Sequence, residues 1–266
     1  MKPIIALALS GGVARGLAHI GALKVLLKNK IPIDIITGTS MGSIVGALYA
    51  HSLDIEGVER LALETDTRKL MRMFDPSFRF GLIKGKKIES FLKEHLGDGS
   101  FESLKIPLGV VASDLEDGSP VYFSRGDLIS AIRASISLPF IFTPVSFSNK
   151  LLVDGGLTEP LPVNCAISLG ADIVIGVNLD SQKNLKERIN KPSIRHMMSR
   201  TIKILMSQLS KFNSDNASVI IAPNIPYHLS ADFANAKKFI LEGERAAEEA
   251  LPEIFSILKK HKVKLE

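Results

Sequence analysis

Short runs of consecutive apolar residues alternate along this chain with longer stretches whose apolar positions recur with helical spacing. The runs at residues 4–9, 33–37, 108–113, 151–153, 173–179 and 218–222 have strand length and are rich in Ile and Val. Such residues fit a pleated surface, and a run that is apolar on both faces must be covered on both. Helical periodicity covers residues 18–28, 43–51, 55–67, 86–96, 127–135, 193–213 and 232–260. Strands and helices in alternation predict an α/β protein in three layers, with a mainly parallel central sheet between two layers of helices. The most polar stretch, residues 182–192, reads as a surface loop. A single domain over 1–266 is expected, with a core at 4–180 and a helical C-terminal part at 190–266 packed on it.

Composition narrows the class without naming a function. Of the 266 residues 45% are hydrophobic and 23% charged, the balance of an ordinary globular protein with a substantial core. The first apolar run is too short for a signal-peptide core, and no stretch approaches the roughly 20 apolar residues that span a bilayer. An integral membrane protein is therefore not expected. One cysteine, Cys165, excludes an intramolecular disulfide and favours a reducing compartment, so a cytoplasmic location is expected. The net charge of +5 suits an anionic surface. No metal-ligand spacing and no basic-aromatic pattern accompanies it, so neither a metal nor nucleic acid is expected.

Candidate chemistry begins at Gly38-Thr39-Ser40-Met41-Gly42, between an apolar strand and an apolar helix start. Strand, tight turn and helix form the setting of a nucleophile elbow, in which flanking glycines let the backbone turn sharply and keep side chains away from the serine. The helix N-terminus behind it favours developing negative charge. A second glycine-rich turn, Ser10-Gly11-Gly12-Val13-Ala14-Arg15-Gly16, follows the first strand. It lacks the acidic partner of a dinucleotide fingerprint and the Gly-Lys-Ser/Thr of a phosphate loop. Neighbouring parallel strands would bring it beside Ser40, where its amides can form an oxyanion hole.

A serine needs a base, and two candidates follow from the residues. Asp180 and His228 each follow a strand, and with Ser40 they give the Ser, Asp, His order of an α/β-hydrolase. Asp154, which closes an apolar strand and precedes Gly155 and Gly156, is the rival.

Taken together, the glycine-rich loop at 11–16, the nucleophile run 38–42 and Asp154-Gly155-Gly156 resemble the patatin-like phospholipases, especially their bacterial branch. The segments 111–115, 133–139, 160–163 and 169–172 fit the same pattern. The resemblance implies a patatin-like fold and a Ser–Asp dyad, with Ser40 as nucleophile and Asp154 as base, no catalytic histidine and no cofactor. It also implies an oxyanion hole from the amides of Gly11 and Gly12, joined by Val13 and Met41, with Arg15 and Gly16 supporting the loop. Placement agrees with the dyad, because Ser40 follows only the second strand. The family usually has a third consecutive glycine where this chain has Val13, and valine resists positive φ.

The substrate implied is a lipid ester, whether phospholipid, lysophospholipid or acylglycerol. A short-chain carboxylesterase and a weakly active binding protein are the alternatives. Residues 74–87 interleave aromatics with Arg79, Lys84, Lys86 and Lys87, which suits a lid with peripheral contact at the inner membrane face. The methionine-rich apolar side of 197–209 suits an adaptable lipid or partner surface, but a helix packed over the sheet is the expectation.

Overall fold

Ile5, Leu7 and Leu9 face one side of the first strand and Ala6 and Ala8 the other, and both sets are buried. A strand apolar on both faces belongs inside a sheet covered twice, and the computed structural model places it there. The structure describes residues 2–64, 76–77, 82–97, 99–180, 193–229 and 232–263.

In chain order the elements are β1 (Ile5–Leu9), α1 (Ala18–Lys28), β2 (Ile35–Thr39), α2 (Met41–Ser52), α3 (Ile55–Glu64), β3 (Pro76–Ser77), β4 (Leu82–Ile83), α4 (Lys86–Leu96), β5 (Leu108–Asp114), β6 (Pro120–Phe123), α5 (Leu128–Ser135), β7 (Val145–Phe147), β8 (Lys150–Asp154), α6 (Val163–Ser168), β9 (Ile173–Val177), α7 (Ile194–Ser214), β10 (Val219–Ile221) and α8 (Ala236–Lys260). The main sheet runs β10-β9-β1-β2-β5-β8-β7, with β6 on the other edge of β5. From β10 to β5 every pairing is parallel, and the β5–β6, β5–β8 and β7–β8 pairings are antiparallel. This is the mostly parallel sheet that the alternation predicts. The larger core cluster includes residues of α1, α2 and α8, and a smaller one lies under α6.

Helix α8 crosses α1 at backbone distance. A Cβ on Gly21 would fall 1.9 Å from the Ile240 carbonyl oxygen, and one on Gly243 would fall 1.9 Å from that of Ala18. Only glycine permits this crossing, which fixes α1 and the loop before it.

Two features of the sheet position the site. The chain leaves β1 to form β2 on one side and returns much later to form β9 on the other. A parallel sheet opens a crevice at such a switch, beyond the carboxyl ends of its strands. The second feature lies on β5, which holds three neighbours. Val111 pairs with Thr39 and Tyr122, and the next residue, Ala112, pairs with Asp154 and Val121. A strand has two edges, so β2 and β8 must share one, meeting end to end at their carboxyl ends.

Several boundaries differ from the periodicity. Strand β2 continues through Gly38 to Thr39, and α2 starts at Met41 rather than two residues later, because the elbow consumes a single residue. The short β6, β7 and α6 had no signal of their own. Part of the aromatic-basic stretch, residues 74–75 and 78–81, lies outside the described residues, as do 181–192. No helix among the described residues is long and apolar enough to cross a membrane. The expectation for 197–209 is corrected: α7 turns its serines inward and leaves most of its large apolar residues exposed.

Candidate active site

Ser40 is the single residue between β2 and α2, and its backbone sits at φ 53, ψ −121. Such a conformation is costly for a residue with a Cβ and persists only where its surroundings enforce it. A Cβ on Gly38 would fall 2.5 Å from Ser43, and one on Gly42 would fall 2.2 Å from the Leu9 carbonyl oxygen. Both glycines are thus required by the close passage of backbone. The turn is further held by the Ser40 N–H, which donates to Ser135 Oγ at 2.8 Å, and by Ser43 Oγ, which donates to the Ser40 carbonyl at 2.6 Å.

Asp154 ends β8 against the end of β2. Its N–H donates to the Ser137 carbonyl at 3.0 Å, and its own carbonyl accepts from Ser113 Oγ at 2.9 Å. Oδ1 accepts the Gly156 N–H at 2.8 Å. Burial pushes the carboxyl up, from 3.8 to about 6; Asp180 adds a like charge, while hydrogen bonds from Gly156 and the Ser40 side chain oppose the rise. The Ser40 hydroxyl and this buried carboxylate therefore lie close to one another on the cavity wall. A Cβ on Gly155 would fall 2.2 Å from the Val111 carbonyl oxygen, so the turn after Asp154 lies flat on β5.

The loop after β1 does not supply donors as expected at every residue. The Gly11 N–H donates to the Pro160 carbonyl at 3.0 Å, which removes it from the set. The amides of Gly12, Val13 and Met41 have no acceptor among the described residues. Gly12 and Val13 line the cavity in front of Ser40, and Met41 instead lays its side chain over Gly16. Val13 takes φ 50, the left-handed conformation that valine resists. The chain thus keeps the loop geometry and bears the strain.

Arg15 is buried beneath that loop. Its Nη1 donates to the Leu179 carbonyl at 2.7 Å and its Nη2 to Asp180 Oδ1 at 2.6 Å. Its guanidinium also lies 4.4 Å from the centroid of the Tyr227 ring, and Lys203 Nζ lies 4.3 Å from the same ring. Arg15 thus ties the loop to a carbonyl and to a carboxylate. The same contact commits Asp180 to a cation, while His228 lies exposed in a one-turn segment that does not border the cavity. Ser40, Asp180 and His228 are not brought together. His19, buried below the loop, bonds the Ser10 carbonyl through Nε2 at 2.7 Å, and burial lowers it to about 4, which keeps the ring neutral.

The cavity has a volume of about 830 Å³. Ser40, Asp154, Gly12 and Asp180 line its polar part, and Leu138, Phe140, Ile141, Met198, Ile202 and Met206 its apolar wall. Among the described residues no group of three or more His, Cys, Asp or Glu side chains converges as a metal site.

Some contributors were not singled out in the sequence. Ser135 and Ser137 come from the 133–139 segment, which carried a family signal but no assigned role. Glu159 is buried, accepts from the N–H groups of Asn164 and Cys165 at the start of α6, and takes the Tyr122 hydroxyl bond. Only its place in the 155–163 turn could have drawn attention to it.

A mostly parallel sheet with a strained serine elbow, opening onto a cavity beside a buried carboxylate, defines an α/β class. The family model for patatin-like phospholipases matches residues 7–167, and the chain belongs to that family. It is 36% identical over 194 residues to an uncharacterised NTE family protein of Mycobacterium tuberculosis, covering 73% of this chain and 54% of the relative. It is 32% identical to lysophospholipase nte1 of Aspergillus fumigatus, covering 66% of this chain and 12% of that protein. Identity is also 32% to neuropathy target esterase sws of Drosophila melanogaster, covering 67% and 13%. The chain spans about half the length of the mycobacterial relative and a small part of the other two.

Proposed function

We propose that the protein is a serine acyl hydrolase that cleaves carboxylic ester bonds of lipids through an acyl-enzyme. The observation that carries this reading is the strained Ser40 elbow opening onto the same cavity as Asp154, a buried carboxylate lifted to about 6. A carboxylate with the usual value near 3.9 is a poor base, and one stripped of water is a better one. In this reading Asp154 takes the Ser40 proton as Oγ attacks the ester carbonyl. The Gly12 and Val13 amides, with the Met41 N–H at the positive end of α2, hold the oxyanion. Asp154 then passes its proton to the leaving alcohol. The same carboxylate activates a water that releases the acyl group and restores Ser40.

The long apolar wall from Leu138 to Met206 supports a lipid acyl chain over a short one. Relatives named as lysophospholipases support the same substrate class. The decisive experiment labels the protein with a fluorophosphonate and then measures turnover of nitrophenyl esters of rising chain length, followed by phospholipids and lysophospholipids. Labelling lost in Ser40→Ala, turnover lost in Asp154→Asn and turnover kept in His228→Ala are the expected results. Full activity in Asp154→Asn would sink the dyad, and a preference for the shortest esters would make the protein a carboxylesterase.

A further inference from the structure

Helix α7 carries its polar side inward. Ser207, Ser210 and Asn213 are buried. Ser207 Oγ donates to the Asp180 carbonyl at 3.0 Å, and Ser210 Oγ donates to Asn178 Oδ1 at 2.8 Å. These partners lie just beyond the end of β9, where polar groups need hydrogen bonds that an apolar side chain cannot give. The opposite side carries Ile194, Met197, Met198, Ile204, Leu205 and Phe212, exposed by 73, 47, 41, 42, 58 and 68%. Helical spacing aligns them in one strip. Single exposed apolar residues are common, but six on one side of one helix, with only Thr201 and Gln208 among them, mark a contact surface.

The charges identify what it contacts. The helix contains Arg195, Arg200, Lys203 and Lys211 and no acidic residue. Lys211, itself exposed, lies beside Phe212. A cationic helix with an apolar face outward suits a surface that is anionic at its headgroups and apolar beneath. The strip is also continuous with the cavity: Ile194 and Met198 line it, as does the half-exposed Phe140. A second copy of the chain seated here would close the cavity mouth, whereas a bilayer would cover the strip and also supply the substrate.

We propose that the outward face of α7 docks the protein on bilayers containing anionic phospholipid, with the cavity mouth against the lipid. The inference rests on the reading of the cavity as a lipid-ester site and names the surface from which its substrate comes. The test is flotation of the full chain with vesicles of ether-linked phosphatidylcholine, with and without ether-linked phosphatidylglycerol. Ether lipids offer no ester to cleave, so binding is read apart from hydrolysis.

The wild-type protein floats with the anionic vesicles, and Leu205→Ser/Phe212→Ser cuts the bound fraction at least about tenfold. Lys211→Glu weakens binding to the anionic vesicles severalfold. None of these residues lines the cavity, so all three proteins keep wild-type turnover of a soluble short-chain ester and the same melting temperature. Wild-type protein that turns over the soluble ester but stays with the unbound fraction overturns the docking surface and leaves the site reading standing. Flotation without esterase activity overturns the site reading instead. The surface also falls if the double variant floats as well as wild type, or if wild type is a dimer that the double variant splits.

Discussion

Asp154→Asn is expected to stabilise the fold at neutral pH while it removes the proposed base. Asp154 is 2% exposed. Burial is the largest influence on its carboxyl, and Asp180 reinforces it; the net effect is a rise from 3.8 to about 6. The folded protein therefore holds this proton more tightly than the unfolded chain does. Between about pH 4 and pH 6 the folded state carries the extra proton, so the contribution to stability is present below pH 4 and is lost as pH rises through 6. At about 1.36 kcal/mol for each pH unit, ionised Asp154 costs the fold about 3 kcal/mol at pH 7. Asn has no charge to desolvate, and its Oδ1 can still accept the Gly156 N–H.

Urea unfolding at pH 4, 5, 6 and 7 measures the effect. The variant is expected to exceed wild type by about 2–3 kcal/mol at pH 7, and the gap is expected to shrink to less than about 0.5 kcal/mol at pH 4. Turnover should fall by about 10²–10⁴-fold, the usual contribution of a positioned general base. Parallel stability curves for the two proteins across this range would refute the argument, because they would mean that Asp154 is not held against its charge.

Other consequences follow from the same geometry. The rate constant kcat/KM for a soluble ester is expected to be half-maximal near pH 6 and to fall tenfold for each pH unit below, since only ionised Asp154 accepts the serine proton; a flat profile down to pH 4.5 would contradict this. Val13→Gly relieves a left-handed valine at φ 50. Strain of about 1–3 kcal/mol is set against about 0.5–1 kcal/mol of added chain entropy, so unfolding should show a gain of about 1 kcal/mol with activity kept. Arg15→Met leaves Asp180 buried without its cation and should cost about 3–5 kcal/mol, much of which Arg15→Met/Asp180→Leu should restore in a double-mutant cycle.

The order of strands and helices was legible because each β-strand of the parallel half is buried on both faces and each long helix on one. Ser40 and Asp154 were legible for a different reason: both stand at the end of an apolar run beside glycines where an added Cβ would fall within 3 Å of neighbouring atoms. What the residues alone could not show was the choice between Asp154 and the pair Asp180 and His228. That choice depends on contacts between distant residues, namely Arg15 with Asp180 across 165 positions and Ala112 with Asp154 in the sheet. The Gly11 amide was misplaced on the same ground, since its acceptor is Pro160. Helix α7 misled the pattern because its apolar strip was read as a core face, whereas the groups beneath it at Asn178 and Asp180 demand hydrogen bonds.

The edge of β5 is what would let the proposed Ser40–Asp154 pair work without a histidine. In a serine–histidine–aspartate site the imidazole has to be held in one tautomer and one orientation, and a buried carboxylate does this. In the proposed dyad the base is a carboxylate from the outset, and its orientation is fixed by the sheet. Asp154 is the last residue of β8, paired with Ala112 on the edge where β2 has just ended at Thr39. Gly156 N–H holds one carboxylate oxygen, and Ser135 Oγ holds the backbone of Ser40. Two strand ends thus bring carboxylate and hydroxyl to one side of the cavity. The weakness of a carboxylate as a base is offset by the burial that the same packing imposes. His19 shows the converse, for burial that strengthens an aspartate as a base lowers this ring to about 4 and leaves it a neutral strut under the glycine-rich loop.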